Sequence, residues 1–499
     1  MSGIRVTYTG LISLIGGLVS IFTGVIFALI ITRSVTPEEY GTWGLIIGLI
    51  TYVMLIGPIV SYWSTRDTAR NIQSGKTAIW STLLLSVGAI SIYIIISYLM
   101  VNYTNVEQNV LLFAAILIPV IFVNGILTAI NLGWKPHAIS YGTLAYGISS
   151  IPFALFLIYY LDFGVTGIII SVFLANMISI IILFFYAKEK IANQFNKTIL
   201  KKWFKLSWIP IYPGIAILVA GFDISIFTII TGSVIGLAFW TAAMVLPATI
   251  SHTGLISRAV YAKLLEEKTK EFMSENLTLV FYFGIILISL VVTFARPGLY
   301  ALNPIYEIVF PVAIIMSFEV FLTVLVNIFL LSLAGIEKVD KFENSTFKDY
   351  LKSKLFFPHT IRLIQTSIYI LILAVGLLIL VGFGSSNQEL LLFWASIALI
   401  TQIPLVCILY YLLQKNIMIK LEVTRIIKFL LIAIGVFSLT YALVNQFLIY
   451  STDIFSFIPN VLIFALFGVG LYIIVTYLID NKIRNLVQAI IKEIKTRTF

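Results

Sequence analysis

Two carboxylates, Asp223 and Glu319, lie inside long apolar stretches of the sequence. An ionised carboxylate in membrane hydrocarbon costs at least ~2.5 kcal/mol, so each side chain should face a hydrated cavity or a partner. We interpret both as candidates for a gate or for a coupling site for H⁺ or Na⁺; the alternative is a neutral acid hydrogen-bonded to a neighbouring helix. Arg33, at the outer end of the first apolar stretch, could pair with Asp223 as an outer gate, contact an anion, or simply reach the membrane interface.

Four basic residues are candidates for binding phosphate. Arg66 and Arg70 are four residues apart and therefore share a helix face. With Lys135 and Arg258 they could form a cationic inner vestibule, because guanidinium groups are planar and permanently charged and suit phosphate oxygens. The alternative for each residue is the ordinary excess of positive charge on cytoplasmic loops.

The sequence offers little for other chemistry. The single cysteine, Cys407, excludes a disulfide scaffold and a thiolate metal site. The three histidines show no spacing typical of metal ligands: His137, His252 and His359. No polar stretch is long enough for a soluble catalytic domain. We therefore expect no enzymatic activity, no cofactor and no metal site.

The apolar stretches dominate the composition. Of 499 residues, 60% are hydrophobic and 11% are charged, against about 25% charged in a typical soluble domain. The mean hydropathy is +1.06. The stretches are continuously apolar over about 20 residues, which predicts membrane-spanning helices rather than β-barrel strands. We count fourteen: 11–31, 41–62, 79–101, 110–130, 143–161, 164–186, 207–230, 233–251, 276–295, 307–333, 361–383, 390–411, 426–448 and 457–479.

Lys and Arg residues predict the orientation of these spans. With the N-terminus in the cytoplasm, all 32 of them except Arg33 and Arg296 fall on cytoplasmic segments or at the cytoplasmic ends of spans, as the positive-inside rule requires. The same rule accounts for the formal net charge of +10, so we do not interpret this charge as nucleic-acid binding. The prediction is a multi-pass plasma-membrane protein with cytoplasmic N- and C-termini.

An internal repeat relates the first span to the seventh. The first ends in Ile31-Thr-Arg-Ser-Val35 and the seventh in Ile230-Thr-Gly-Ser-Val234. Six spans separate the two matches, an even number, so the repeats are parallel and related by an axis along the membrane normal. This predicts an all-α polytopic membrane protein with two six-helix lobes around a central cavity, plus two extra C-terminal helices.

The predicted division of the chain follows from the repeat. The N-lobe covers 1–190, the C-lobe covers 191–411, and 412–499 holds the last two spans and a cytoplasmic tail. The C-lobe begins with an interfacial helix near 197–205, where apolar residues alternate with lysines. The tail near 482–495 has the same amphipathic pattern, which is typical of helices that lie on anionic lipid.

Four short elements stand in order along the chain: Arg33-Ser-Val-Thr-Pro-Glu-Glu-Tyr-Gly41, Arg66-x-x-Ala69, the stretch from Asp223 to Trp240, and Gly298-Leu-Tyr300. With the fourteen spans, they resemble the polysaccharide-biosynthesis (O-antigen-flippase-type) transporters of the multidrug/oligosaccharidyl-lipid/polysaccharide flippase superfamily. The resemblance implies that a polyprenyl-(pyro)phosphate-linked oligosaccharide is flipped from the cytoplasmic to the external leaflet by alternating access, for surface polysaccharide or glycan assembly. The lipid-linked oligosaccharide and the bilayer would be the partners of a monomeric protein.

Two other functions remain open. A multidrug exporter of the same superfamily would more often have twelve spans and would lack the Pro37-x-Glu39-Tyr40-Gly41 element. A membrane glycosyltransferase or polymerase would normally need a large external loop with acidic residues, and the predicted external loops are all short.

Overall fold

The computed structural model describes the backbone of residues 3–257, 270–337, 353–417, 419, 421–485 and 487–488, and the side chains of these except 3–15, 18, 255–257 and 270–272. Arg258 and the predicted amphipathic tail beyond Gln488 lie outside the described residues. All regular secondary structure in the described part of the chain is helical.

The helices match the spans expected from the sequence. Helices α1 to α9 are Gly3–Ser34, Pro37–Val53, Pro58–Ala69, Gly75–Val101, Gln108–Phe113, Leu117–Trp134, His137–Ala154, Gly164–Ile191 and Lys197–Lys205. Helices α10 to α17 are Trp208–Thr231, Ile235–Ala248, Lys270–Leu302, Phe310–Gly335, Phe357–Gly382, Asn387–Ile417, Val423–Phe447 and Ile454–Ile479.

Within the described residues, thirteen helical segments are long and apolar enough to cross a membrane, and α1 contributes a shorter apolar segment, Val19–Ser34. The all-α polytopic fold predicted from composition is therefore confirmed. A helix, α9, is also present at the place predicted for the interfacial helix; its position at a membrane interface stays a prediction.

Local sequence determines where α2 begins. Thr36 caps the helix: its hydroxyl accepts a 3.3 Å hydrogen bond from the Glu39 N–H, and its own N–H donates a 2.9 Å bond to the Glu39 carboxylate. Pro37 follows at the first helical position, where its missing N–H leaves no bond unmade. This capping box fixes the start of α2. Tyr40 and Gly41, in the first two turns of the helix, are buried.

The first of two compact units comprises Met1–Val245 and Glu337–Thr401. Within it, α7 packs against α1 and α8, α6 packs against α3, α4 and α8, and α10 packs against α14 and α2. Val60, Ile130 and Trp203 are fully buried in an apolar core that links α3, α6 and α9.

The second unit comprises Leu246–Ile336 and Gln402–Phe499. Here α16 and α17, the two C-terminal spans, pack against each other and against α12. The hydroxyl groups of Tyr282 on α12 and Thr476 on α17 are 2.9 Å apart, and the ring of Tyr472 lies beside that of Tyr282. The two spans outside the predicted repeat are therefore anchored on α12.

An ionic cluster joins the start of α16 to the end of α17. Arg425 forms ion pairs with Asp480 and, at 2.8 Å, with Glu422. The Lys482 ammonium lies 2.6 Å from the same Glu422 carboxylate. Hydrogen bonds from Lys482 and then Arg425 hold the pKa of Glu422 below its usual value.

Candidate functional site

Asp223, within the apolar length of α10, belongs to a relay of three side chains. Its carboxylate accepts a 2.9 Å hydrogen bond from the Tyr369 hydroxyl on α14. The Tyr369 oxygen in turn accepts a 2.7 Å bond from the indole Nε1 of Trp394 on α15. Tyr369 and Trp394 are both buried. The relay thus supplies the partner that an intramembrane carboxylate requires.

Aromatic stacking holds Trp394 in place. Its ring lies parallel to that of Trp240, with 3.9 Å between centroids and an interplanar angle of 4°. On another side it stacks on Phe227 at 5.0 Å. Such pairs contribute about 0.5–1.5 kcal/mol beyond the area they bury. Trp240 ends the sequence element that begins at Asp223, so this element fixes both ends of the relay.

Tyr52 of α2 contacts α10 at residues that precede and follow Asp223 in the sequence. The Tyr52 hydroxyl donates a 2.8 Å hydrogen bond to the Gly221 carbonyl and lies 2.7 Å from the Ser225 hydroxyl. Its ring meets that of Phe222 edge-on at 5.3 Å. Helices α2, α10, α14 and α15 therefore all contribute to the surroundings of Asp223.

Glu319, in the second unit, has a similar arrangement. Its carboxylate accepts a 2.7 Å hydrogen bond from the Thr323 hydroxyl, which accepts a 2.9 Å bond from the Gln402 amide on α15. Each intramembrane carboxylate thus accepts from a hydroxyl that is itself bonded to an N–H donor of α15.

Two glycines near the start of α2, the helix that follows Arg33, allow the backbone of α2 to approach α11 closely. A methyl group added to Gly41 would lie 2.0 Å from the carbonyl oxygen of Val234. A methyl group on Gly44 would lie 2.6 Å from the Thr241 hydroxyl oxygen. Backbone blocks the first position, so no other side chain fits at Gly41 without separating α2 from the start of α11. We call this contact the glycine seam.

Arg33 lies half-buried in the last turn of α1. A cation at the C-terminus of a helix is stabilised by the helix dipole, which favours at least a structural role for this residue. The gate formed by Arg33 and Asp223 stays a prediction. The first turn of α2 packs on α8, where a methyl group on Gly164 (φ +51°) would lie 2.0 Å from the Glu39 carboxylate.

Three of the four predicted phosphate-binding residues lie at the same end of two packed helices. Arg66 and Arg70 close α3, and Lys135 follows the last residue of α6. The two helices approach closely at this end, because a methyl group on Gly133 would lie 2.5 Å from the Thr65 carbonyl oxygen. The tertiary structure thus gathers cations that are far apart in the sequence.

These three cations have different surroundings. The Arg66 guanidinium lies 4.5 Å from the centre of the Tyr62 ring, a cation–π contact that orients the side chain. Arg70 is exposed. The Lys135 ammonium lies 3.8 Å from the carboxylate of Glu189. Arg70 is therefore accessible to an anion from solution, while Arg66 is pre-oriented beside it.

Asp67 lies between the two arginines in the chain and has a different role. It is buried and accepts a 3.0 Å hydrogen bond from the indole Nε1 of Trp203 on α9. Trp203 is fully buried as well. The predicted interfacial helix therefore places its tryptophan in the protein core rather than in lipid, and the bond ties α9 to the basic end of α3.

Sequence reasoning did not find Tyr369 or Trp203 as partners of carboxylates, nor Trp394 as the donor to Tyr369. Tyrosine is too common here, with 25 in the chain, for one inside a span to attract notice. In α9, Trp203 and Ile199 stand four residues apart, and this spacing predicts a buried helix face. That signal says nothing about whether lipid or protein covers the face.

The chain matches no known protein-family model and no curated protein sequence. Its fold is shared with solved structures. The lipid II flippase MurJ in an inward closed conformation aligns over 96% of this chain and 100% of its own, with TM-score 0.59 and 14% identity. An inward-facing multidrug resistance MATE family transporter of the MOP superfamily aligns over 82% and 99%, with TM-score 0.55 and 14% identity.

A third structure, a MOP superfamily transporter from Pyrococcus furiosus, aligns over 81% of this chain and 94% of its own, with TM-score 0.52 and 13% identity. At such identities the likeness concerns the fold. The chain therefore shares the fold of these transporter and flippase structures.

Proposed function

We propose that this protein is a flippase that moves a polyprenyl-(pyro)phosphate-linked oligosaccharide from the cytoplasmic to the external leaflet by alternating access. One observation carries the proposal: the alignment with a lipid II flippase extends over 96% of the chain. The unaligned part of the chain is shorter than either α16 or α17, so neither C-terminal span lies wholly outside the alignment. That neighbour is named as a flippase of lipid II.

The basic end of α3 and α6 supports a phosphate-bearing substrate. A pyrophosphate cannot cross hydrocarbon unaided, because its charges would lose their hydration. Arg66, Arg70 and Lys135 offer cationic donors at the predicted cytoplasmic side, where such a substrate would enter. Arg66 and Arg70 suit bidentate contact with phosphate oxygens.

Asp223 and Glu319 are the proposed coupling residues, and the Asp223 relay favours H⁺ over Na⁺. A sodium ion needs oxygen ligands, whereas the relay ends in an indole N–H, which can only donate. Protonating Asp223 would remove the charge that the Tyr369 hydroxyl stabilises. The change would alter the link between α10 and α14, so proton occupancy could bias the conformation of the carrier.

We place the protein in the plasma membrane as a monomer with cytoplasmic termini. The orientation is supported by the distribution of Lys and Arg, which leaves only Arg33 and Arg296 on the predicted external side. Basic residues close α3 and follow α6, and four lysines occur in α9, so these helix ends would lie in the cytoplasm.

A multidrug exporter is the second candidate. The MATE alignment, at TM-score 0.55, supports it, and an exporter could use the same carboxylates for coupling. The two candidates differ in substrate chemistry, since an exporter of cationic drugs has no need of a cluster of arginines.

The test is a leaflet-accessibility assay in vesicles. The purified protein is reconstituted with a fluorescent polyprenyl-pyrophosphate-linked oligosaccharide, and a membrane-impermeant quencher reports the outer leaflet. Labelling of cysteines introduced at Asn102 and Lys201 establishes the orientation of the protein in the vesicles. We expect protein-dependent transfer of the saccharide, accelerated by a proton gradient. Transport of a cationic dye without transfer of lipid-linked saccharide would instead establish the exporter.

A further inference from the structure

An open groove of about 420 Å³ lies between α4 and α9 in the first unit. Trp80, Ser81 and Leu84 of α4 form one wall, and Phe195 and Leu200 form the other. The lining is apolar apart from the Ser81 hydroxyl, which bonds within its own helix to the Thr77 carbonyl. Trp80 and Leu84 are 58% and 67% exposed, so the groove opens away from the protein core.

The depth of the groove matches that of the upper part of a lipid acyl chain. Trp80 and Leu84 lie five and nine residues after the start of α4, or about 7 and 13 Å along the helix axis. The start of α4 lies against the end of α8, because a methyl group on Gly75 would lie 2.1 Å from the Lys190 carbonyl oxygen. Because the apolar helix of this span begins at Gly75, the groove would begin just inside the hydrocarbon, at the end of the span that adjoins the lysines of α8 and α9.

The second wall is held rigidly. The Asn196 N–H donates a 2.8 Å hydrogen bond to the Thr77 hydroxyl, and the Lys76 N–H donates a 3.0 Å bond to the Asn193 side chain. Asn196 also caps α9 by accepting bonds from the N–H groups of Thr198 and Ile199. Together with the bond from Trp203 to Asp67, these contacts fix α9 at the mouth of the groove without help from a ligand.

Lysines stand at the mouth of the groove. At 100° per residue, Lys197 and Lys201 lie about 60° and 100° around α9 from Leu200, which lines the groove. Lys205 and Lys202 lie about 140° and 160° away, on the far side. All four lysines are exposed. The segment 187–206 contains six lysines and one glutamate, so the mouth has a positive field.

We propose that this groove binds one anionic phospholipid of the bilayer, with an acyl chain between α4 and α9 and its phosphate at Lys197 and Lys201. Charge complementarity argues for an anionic headgroup, since a zwitterionic lipid gains little from two lysines. The position argues for a phospholipid, because the groove faces the bilayer, where such lipids are present in great excess. The bound lipid would brace α9, and through Trp203 and Asp67 the basic end of α3.

Quenching of Trp80 by brominated acyl chains tests the proposal. The full-length protein is reconstituted in phosphatidylcholine vesicles that contain a small, equal fraction of either brominated phosphatidylglycerol or brominated phosphatidylcholine. The Trp80 signal is the difference between wild type and Trp80→Phe. We expect brominated phosphatidylglycerol to quench this signal several-fold more than brominated phosphatidylcholine does.

Matched lysine variants locate the headgroup. Lys197→Ala combined with Lys201→Ala should abolish the preference for phosphatidylglycerol, while Lys202→Ala combined with Lys205→Ala should retain it. Replacing Lys197 and Lys201 with arginine should restore it, which guards against misfolding. Equal quenching by the two lipids, or equal loss from the two alanine pairs, would overturn the proposal. So would quenching that polyprenyl phosphate relieves and unlabelled phosphatidylglycerol does not, because the groove would then hold the substrate tail.

Discussion

The hydroxyl of Tyr369 donates a 2.9 Å hydrogen bond to the carboxylate of Asp223. The two residues lie on α14 and α10, which pack along each other in the first unit. The same helix pair carries a second tyrosine contact, between the hydroxyls of Tyr212 and Thr360 at 2.5 Å. One contact involves a carboxylate and the other only neutral groups, which provides a matched comparison.

Tyr369→Phe should slow proton-driven flipping at least about tenfold, since a hydrogen bond to a charged group contributes about 1.5–3 kcal/mol. The ring, and hence its packing, is retained. The measurement is the initial rate of lipid-linked saccharide transfer in vesicles with a proton gradient. Tyr212→Phe serves as the control and should change the rate much less. Similar losses in both variants would assign Tyr369 a purely structural role.

The arginines at the end of α3 should contribute through their charge. Arg66→Ala combined with Arg70→Ala should reduce flipping at least tenfold, because each charged contact to phosphate contributes about 1.5–3 kcal/mol. The control is Lys415→Ala combined with Lys428→Ala, which removes two exposed charges from α15 and α16. If the two double variants lose equal activity at equal expression, Arg66 and Arg70 serve only to orient the protein in the membrane.

The glycine seam should be required for transport. Gly41→Ala places a methyl group where only 2.0 Å separates it from the Val234 carbonyl oxygen, so α2 and α11 cannot close together. We expect the variant to fold in the membrane but to lose most of its flipping rate. Gly125→Ala, at a site with open space around it, should remain active. Normal transport by Gly41→Ala would show that close contact between α2 and α11 at the glycine seam is not required for transport.

The bond between Trp203 and Asp67 should stabilise the first unit. Trp203→Phe keeps an aromatic ring but removes the donor to a buried carboxylate, at a cost of about 1–3 kcal/mol. Thermal unfolding in detergent should show a lower midpoint, whereas Trp80→Phe, at an exposed indole, should not. Adding Asp67→Asn to Trp203→Phe should recover part of the loss, because the remaining buried group is then uncharged. No recovery would point to packing as the dominant contribution.

The ionic cluster of α16 and α17 should make the second unit sensitive to acid. The pKa of Glu422 is held below its ordinary value of 4.5 by Lys482 and Arg425. Its contribution to stability is therefore complete above pH 4.5 and is lost as the pH falls through the lower, folded-state pKa. Glu422→Gln should lower the melting temperature at pH 7, and its deficit relative to wild type should shrink near pH 3.

The exposed Glu107 provides the comparison for this pH dependence. Glu107→Gln should leave the melting temperature and its acid limb unchanged, because that side chain makes no capping bond at the start of α5. If Glu422→Gln lowered the melting temperature by the same amount at every pH, an electrostatic origin of the stabilisation by Glu422 would be contradicted.

Much of the fold follows from local sequence. Continuous apolar runs dictate membrane helices because every backbone polar group in hydrocarbon must be satisfied within its own segment. The capping box at Thr36 and Glu39 likewise dictates the start of α2. The alternation of lysines with apolar residues correctly predicted α9. Span orientation, the repeat-based lobes and the ion pair between Arg33 and Asp223 stay predictions that rest on the sequence.

The partners of the buried polar groups were decided only by tertiary structure. Asp223 was identifiable from its unfavourable position in hydrocarbon, but its partner Tyr369 lies 146 residues away, on a helix whose facing side the sequence does not reveal. From the sequence, Trp203 could equally be a lipid anchor or a core residue. Its bond to Asp67 and its full burial identify it as a core residue. Hydropathy reports how much a residue avoids water. Lipid and protein interior are equally apolar, so only the packing of the helices distinguishes them.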